Sequence, residues 1–191
     1  MKLREKIEKK KFVITSEIGP PKGVDIEEAI QGAVLIKERV DAINVTDLQS
    51  SVMRMGSLAT CHLLIDAGIE PIFQLTCRDR NRLALQSDLL SAYVLGIENV
   101  LALTGDHPAL GDHPEAKPVF DLDVVTLLDA IQKLNSGLDL SGNPLKGVPN
   151  FFSGAVVNPG ADPIEPEIIK MEKKVEKGVL FFQTQAVYDV G

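Results

Sequence analysis

Three features of the sequence predict a parallel α/β fold, a (β/α)8 TIM barrel that stops after its sixth strand. Six short apolar runs alternate with five longer stretches of helical periodicity, the pattern of parallel strands joined by crossover helices. Polar residues follow each run: Glu17, Thr46 with Asp47, Gln74 with Thr76, Thr104 to Asp106, Asn158, and Gln183 with Gln185. Polar groups at every carboxyl strand end suit the mouth of a barrel, where that fold places its sites. The competing doubly wound sheet would carry GxGxxG after its first strand, and here that turn reads Ser16-Glu17-Ile18-Gly19-Pro20-Pro21.

In order, the first strand is expected at residues 12–16, ended by Gly19-Pro20-Pro21. Asp25 and Glu28 have capping-box spacing, opening a helix to about residue 40 with Ile26, Ile30, Val34 and Ile36 on one face. Strand two is 42–45, followed by a helix over 58–66 that Gly68 closes. Strand three is 71–75, and a helix over 81–95 stops at Gly96. Strand four is 100–103; a long loop then leads to a helix over 123–134. Strand five is 151–157, a helix over 165–176 ends at Gly178, and strand six is 179–182. A complete barrel takes about 250 residues. One domain over 1–191 is therefore expected to lack two strands and three helices, leaving sheet edges that invite another copy or the missing part.

Composition narrows the class. Apolar residues make up 45% and charged residues 25%, as in ordinary globular proteins. A net charge of −7 without a basic stripe argues against nucleic acid as a partner. The basic start, MKLREKIEKKK, leads into no apolar core, and no run approaches the roughly 20 apolar residues of a span, so a cytoplasmic protein without membrane contact is expected. Cys61 and Cys77 have neither zinc nor redox spacing and read as buried thiols.

The strand-end motifs become specific when taken together. Thr15-Ser16-Glu17-Ile18-Gly19-Pro20-Pro21, Gln74-Leu75-Thr76-Cys77-Arg78-Asp79-Arg80-Asn81-Arg82, Leu101-Ala102-Leu103-Thr104-Gly105-Asp106, Val156-Val157-Asn158-Pro159-Gly160-Ala161-Asp162 and Phe182-Gln183-Thr184-Gln185 occur in barrel order. Over nearly the whole chain they resemble the methylenetetrahydrofolate reductases. The resemblance implies flavin-dependent reduction of 5,10-methylenetetrahydrofolate to 5-methyltetrahydrofolate, with FAD (FMN as the alternative) and NADH or NADPH as electron donor. It implies a folate substrate and, as protein partners, a second copy or a redox or one-carbon protein.

Residue by residue, Glu17 matches the family's proposed general acid. The substrate ring opens only when a poorly basic nitrogen is protonated, and burial or a nearby carboxylate such as Asp106 favours an acid that keeps its proton. Asp106 matches an aspartate near flavin and pterin. Gln185 matches a pterin-binding glutamine, with Gln183 on the same strand face as the alternative. Flavin contacts are implied for Thr46, Asp47, Gln49, Gln74, Thr104, Gly105, Asp106, Asp121, Asn158, Asp162, Glu167, Lys173 and Lys174. The chain departs from the common pattern at Gln74 (often His), Thr104 (often Arg), Asn158 (often Tyr) and Asp162 (often His), which removes positive charge and an aromatic surface.

The remaining features have weaker readings. The repeat Gly105-Asp106-His107-Pro108 and Gly111-Asp112-His113-Pro114 reads as an ordered loop rather than a metal site. Arg78, Arg80 and Arg82 suit an anionic substrate tail or, with Asp79 among them, local salt bridges and a solvated helix start. Residues 135–144 read as an exposed excursion. A barrel wall without two strands also admits a non-catalytic flavin- or folate-binding module acting with a partner. A flavin-free lyase using Glu17 as base would want a strand-end lysine for Schiff-base chemistry, and the chain lacks one.

Overall fold

The structure is a computed structural model and describes residues 1–188; residues 189–191 of the expected domain lie outside the described residues. Six strands, β1 (Thr15–Ile18), β2 (Ala42–Val45), β3 (Pro71–Thr76), β4 (Asn99–Leu103), β5 (Phe152–Val157) and β6 (Phe181–Thr184), form one sheet in sequential order. Every neighbouring pair is parallel. Between them lie α2 (Glu27–Ile36), α3 (Ser57–Asp66), α4 (Arg82–Val94), α5 (Val124–Asn135) and α6 (Glu165–Glu176), with α1 (Leu3–Glu8) ahead of β1. Glu17 on β1 and Gln185 just past β6 line one cavity, so the sheet curls into part of a barrel. No helix among the described residues is long and apolar enough to cross a membrane.

Two apolar layers hold this curl. Alternate strand residues Ile43, Val45, Phe73, Leu75, Val100 and Ala102 pack outward with the helices. The intervening residues Ala42, Ile72 and Leu101 face inward with Val156 and Phe181. β2 and β3 are buried along their whole length, and the polar residues they carry, Asn44, Gln74 and Thr76, lie toward their carboxyl ends. Inside, Phe152 and Phe181 stack with centroids 5.2 Å apart. Gly154 makes room for that pair, since a Cβ there would sit 2.3 to 2.6 Å from carbons of the Phe181 ring.

The sequence offered no reading for α1. Its Leu3 is 1% exposed and closes the inner layer from the amino-terminal side of the strands. The Glu70 carboxylate accepts from the Leu3 N–H at 3.0 Å, Lys6 pairs with Asp41, and the Arg4 guanidinium lies 5.2 Å from the Phe152 ring centre.

Local boundaries differ from expectation at β1 and β6, the outer strands of the sheet among the described residues. β1 pairs from Thr15 opposite Ala42, three residues later than the apolar run begins, and Phe12 remains 86% exposed. β6 likewise begins at Phe181, opposite Gly154. The Asp25 capping box does not form: α2 starts at Glu27, and Asp25 accepts only from the Glu27 N–H. Ala33, one turn beyond Ile30, takes the inward place expected of Val34, which is exposed. Caps do form at α4, where Asn81 accepts from the Leu83 and Ala84 N–H groups, and at α5, where Asp123 and Thr126 make a reciprocal box.

Candidate functional site

The carboxyl ends of the strands surround a cavity of about 390 Å³ whose wall includes Glu17, Thr46, Gln74, Thr104, Asp106 and Gln185. Asp47, Gln49 and Gly105 border it too. A second cavity, of about 330 Å³, shares Leu103, Thr104, Val156 and Gln185 with the first. It continues toward α5 and α6, where Asn158, Glu167, Lys170 and Lys174 line it.

Strand alternation puts Glu17, Asn44 and Gln74 on the inner face, and Gln74 reaches past β2 to Glu17: its Nε2 donates to Glu17 Oε2 at 3.3 Å. The expected burial of Glu17 is not found. Among the described residues β1 has only β2 beside it, and the Glu17 carboxylate is exposed. Thr46 is 2% exposed, and its hydroxyl has no hydrogen-bond partner among the described residues. A buried hydroxyl on a cavity wall without a partner is ready for a ligand atom.

Asp47, whose side chain is fully buried, is saturated by the protein itself. It accepts from Thr76 N (2.9 Å), Thr76 Oγ1 (2.8 Å) and both terminal nitrogens of Arg80 (2.8 and 3.2 Å). A buried carboxylate is tolerated when paired in this way. The other arginines also find acids: Arg78 pairs with Asp79, Arg80 additionally with Asp88, and Arg82 with Asp121. The local-salt-bridge reading of this cluster is the one the geometry follows.

The turn after β2 is conformationally unusual. Leu48, Ser50 and Ser51 have φ of 49°, 55° and 58°, a region that costs a non-glycine residue on the order of 1–3 kcal/mol. Across from it, Gly105 has φ 91°, and a Cβ there would lie 3.0 Å from Arg78 Cβ. Glycine meets both demands.

In the second cavity, burial lowers the pKa of Lys174, against the raising influence of Glu167; its Nζ donates to the Val156 carbonyl at 2.6 Å. Glu167 accepts from the Asn158 N–H. Lys170, which the sequence reading passed over, sits four residues before Lys174 and so shares its helix face. Asp123 was read only as a helix start, yet it lines this cavity as well.

Four expected residues stand outside both walls. Asp121 is held by Arg82, whose hydrogen bonds bring its carboxyl down to about 2. Lys173 and Asp162 are exposed, and Gln183 is half-buried within β6. In the repeated loop, His107 Nδ1 accepts from the Ala109 N–H, while Asp112 binds Lys22, the Met53 N–H and His113. Residues 135–144 form an ordered turn closed by a Leu138–Pro144 bridge. Cys61 and Cys77 are buried, and burial pushes the Cys77 thiol up to about 12.

Known proteins share both sequence and fold with this chain. The profile of the family described as Methylenetetrahydrofolate reductase matches residues 2–191. The 5,10-methylenetetrahydrofolate reductase of Pectobacterium carotovorum subsp. carotovorum is 26% identical over 184 residues, which is 93% of this chain and 55% of that protein. Among solved structures, an uncharacterized protein from Clostridium thermocellum, described as binding two copies of 5-methyl-5,6,7,8-tetrahydrofolic acid, aligns with a TM-score of 0.64. That alignment covers 98% of this chain and 59% of the other at 20% identity, a likeness of fold alone. The chain thus spans little more than half the length of these proteins.

Proposed function

This chain belongs to the methylenetetrahydrofolate reductase family, and on that premise we propose that its barrel mouth serves flavin-dependent reduction of 5,10-methylenetetrahydrofolate to 5-methyltetrahydrofolate. The observation that carries the reading is the meeting of Glu17, Asp106 and Gln185 on one cavity wall.

The residues present suit a flavin. The unpartnered Thr46 hydroxyl, Gln49, Gln74, Thr104 and Gly105 would hold the ring system with neutral donors and acceptors. Asn158, Lys170 and Lys174 in the adjoining cavity would meet a phosphate. These two groups of residues would hold FAD, with FMN as the alternative. When bound, a reduced flavin would supply the hydride, with NADH or NADPH as electron donor.

The chain's own groups do the rest. Glu17 donates a proton to the substrate nitrogen whose protonation opens the five-membered ring. Gln74 orients the Glu17 carboxyl group by donating to Oε2, leaving Oε1 to carry the proton. Asp106 stands exposed to accept from substrate N–H groups, and the Gln185 amide both donates to and accepts from the heterocycle edge. In full-length, flavin-loaded protein, Glu17→Gln is expected to lower folate reduction by about a hundredfold or more while flavin reduction by the nicotinamide donor persists. Retained folate turnover would remove Glu17 from the acid's role.

A second reading, a flavin- or folate-binding module acting with a partner, rests on the exposure of Glu17, whose carboxyl group the described residues do not bury. Titration of the purified chain with FAD separates the two: binding without turnover selects the module.

A further inference from the structure

Arg78 is 2% exposed, and its guanidinium spans three segments of the chain. Nη2 donates to the Leu48 carbonyl at 3.3 Å, and Nη1 donates to Ser51 Oγ at 3.1 Å and to the Asp106 carbonyl at 3.4 Å. Asp79 takes Nε and Nη2. Ser51 Oγ donates in turn to the Asp106 carbonyl at 2.9 Å. We propose that Arg78 is a positioning residue for the ligand cavity: with Ser51 it fastens the turn after β2 to the turn after β4, and so sets where Gln49 and Asp106 stand in the wall. This rests on the flavin and folate reading given above.

The chemistry of the guanidinium explains why it holds this place. Its flat fork offers separately directed N–H groups to acceptors on different segments, which the single point charge of a lysine cannot do. Asp79 balances the buried charge through Nε and Nη2, which leaves Nη1 to Ser51 and the Asp106 carbonyl while Nη2 also reaches the Leu48 carbonyl. The turn after β2 needs such a hold, because Leu48, Ser50 and Ser51 all occupy the left-handed region, and such conformations persist only where their surroundings impose them. The turn after β4 rides directly on the arginine stem, where Gly105 approaches Arg78 Cβ. Neither turn carries a regular strand or a long helix to stiffen it: each has only a one-turn 3₁₀ segment, Gln49–Ser51 and Pro108–Leu110.

The test compares Arg78→Met, Arg78→Lys and Ser51→Ala in the full-length protein. Amide hydrogen exchange reports the clamp without any ligand. In Arg78→Met, exchange at Ser51, Val52, Leu110 and Gly111 should quicken about tenfold or more, with amides of α3 and α4 unchanged. FAD titration of the apoprotein should weaken in step with exchange. Folate kcat should fall by up to about a hundredfold, more than flavin reduction does, because a small displacement of Asp106 misplaces the substrate. Arg78→Lys should recover folding but not the exchange protection, and Ser51→Ala should add little once Arg78 is lost. Unaltered exchange in a folded Arg78→Met or Arg78→Lys protein overturns the clamp. Quickened exchange with unchanged FAD affinity and unchanged folate kcat overturns its link to the site. If the parent protein binds no flavin, the proposed function fails, while the exchange comparison still decides the clamp.

Discussion

Replacing Asp47 by asparagine keeps the volume of the side chain and removes its charge, which makes it a clean probe of what that residue does. In the structure the carboxylate is wholly buried and accepts from the Thr76 N–H, the Thr76 hydroxyl and both Arg80 terminal nitrogens. An amide presents one acceptor and one donor, so its NH2 group must face one of these donors. Breaking a buried ion pair from one side costs about 3–5 kcal/mol. Arg80 keeps Asp88 as a partner and is 19% exposed at its side chain, which places the expected loss near the lower end, about 3 kcal/mol. With a urea dependence of about 2 kcal/mol per molar, the unfolding midpoint should drop by about 1.5 M. Far-UV circular dichroism against urea measures this, and a cycle with Arg80→Met isolates the pair. A loss below about 1 kcal/mol would refute the dry, saturated ion pair. An unchanged midpoint together with weakened FAD binding would instead assign Asp47 to the ligand.

Gly154→Ala should destabilise by about 1–3 kcal/mol, because the new methyl group meets the Phe181 ring inside the barrel; a thermal midpoint equal to that of the parent would contradict the packing described. Asp41 is held below its ordinary pKa by Lys6 and by the Ile14 N–H, so its stabilisation is present above about pH 4 and fades as pH falls through the lower folded value. The gap in urea midpoint between parent and Asp41→Asn should therefore be wide near neutrality and close in strong acid. A gap independent of pH would show that the carboxylate charge is not what matters.

How much of the fold could be read ahead depended on what each element touches. β2 is buried on both faces by its own neighbours, and its apolar run coincides with the strand over Ala42–Val45. The run at residues 12–16 misplaces β1 because an edge strand needs only part of an apolar stretch and leaves Phe12 outside. α1 has only Leu3 and Ile7 among charged residues, and its helix is specified by the seat it finds against the strands. In the site, Glu17, Gln74, Asp106 and Gln185 line one cavity, and they were legible as polar groups at the strand ends, with their roles implied by the family resemblance. The burial of Arg78 was not, since acceptors 27 to 30 residues distant decide it and nothing adjacent signals them. Lys170 had a readable signal in its helical spacing to Lys174, and the same helix turns Lys173, one residue from Lys174, away from the wall, whereas the position of Asp121 follows from a loop path that no periodicity encodes.

The small stopper at the base of the sheet also bears on how the molecule is made. Its anchors are remote: Leu3 to Glu70 spans 67 residues, Lys2 to Glu98 spans 96, and Arg4 to the Asn150 carbonyl spans 146. The α1 segment must therefore wait, unseated, until partners as far on as Asn150 have been synthesised. Contacts this far apart along the chain slow assembly, so a bulky fusion at the amino terminus should delay refolding more than the same fusion placed at an exposed loop.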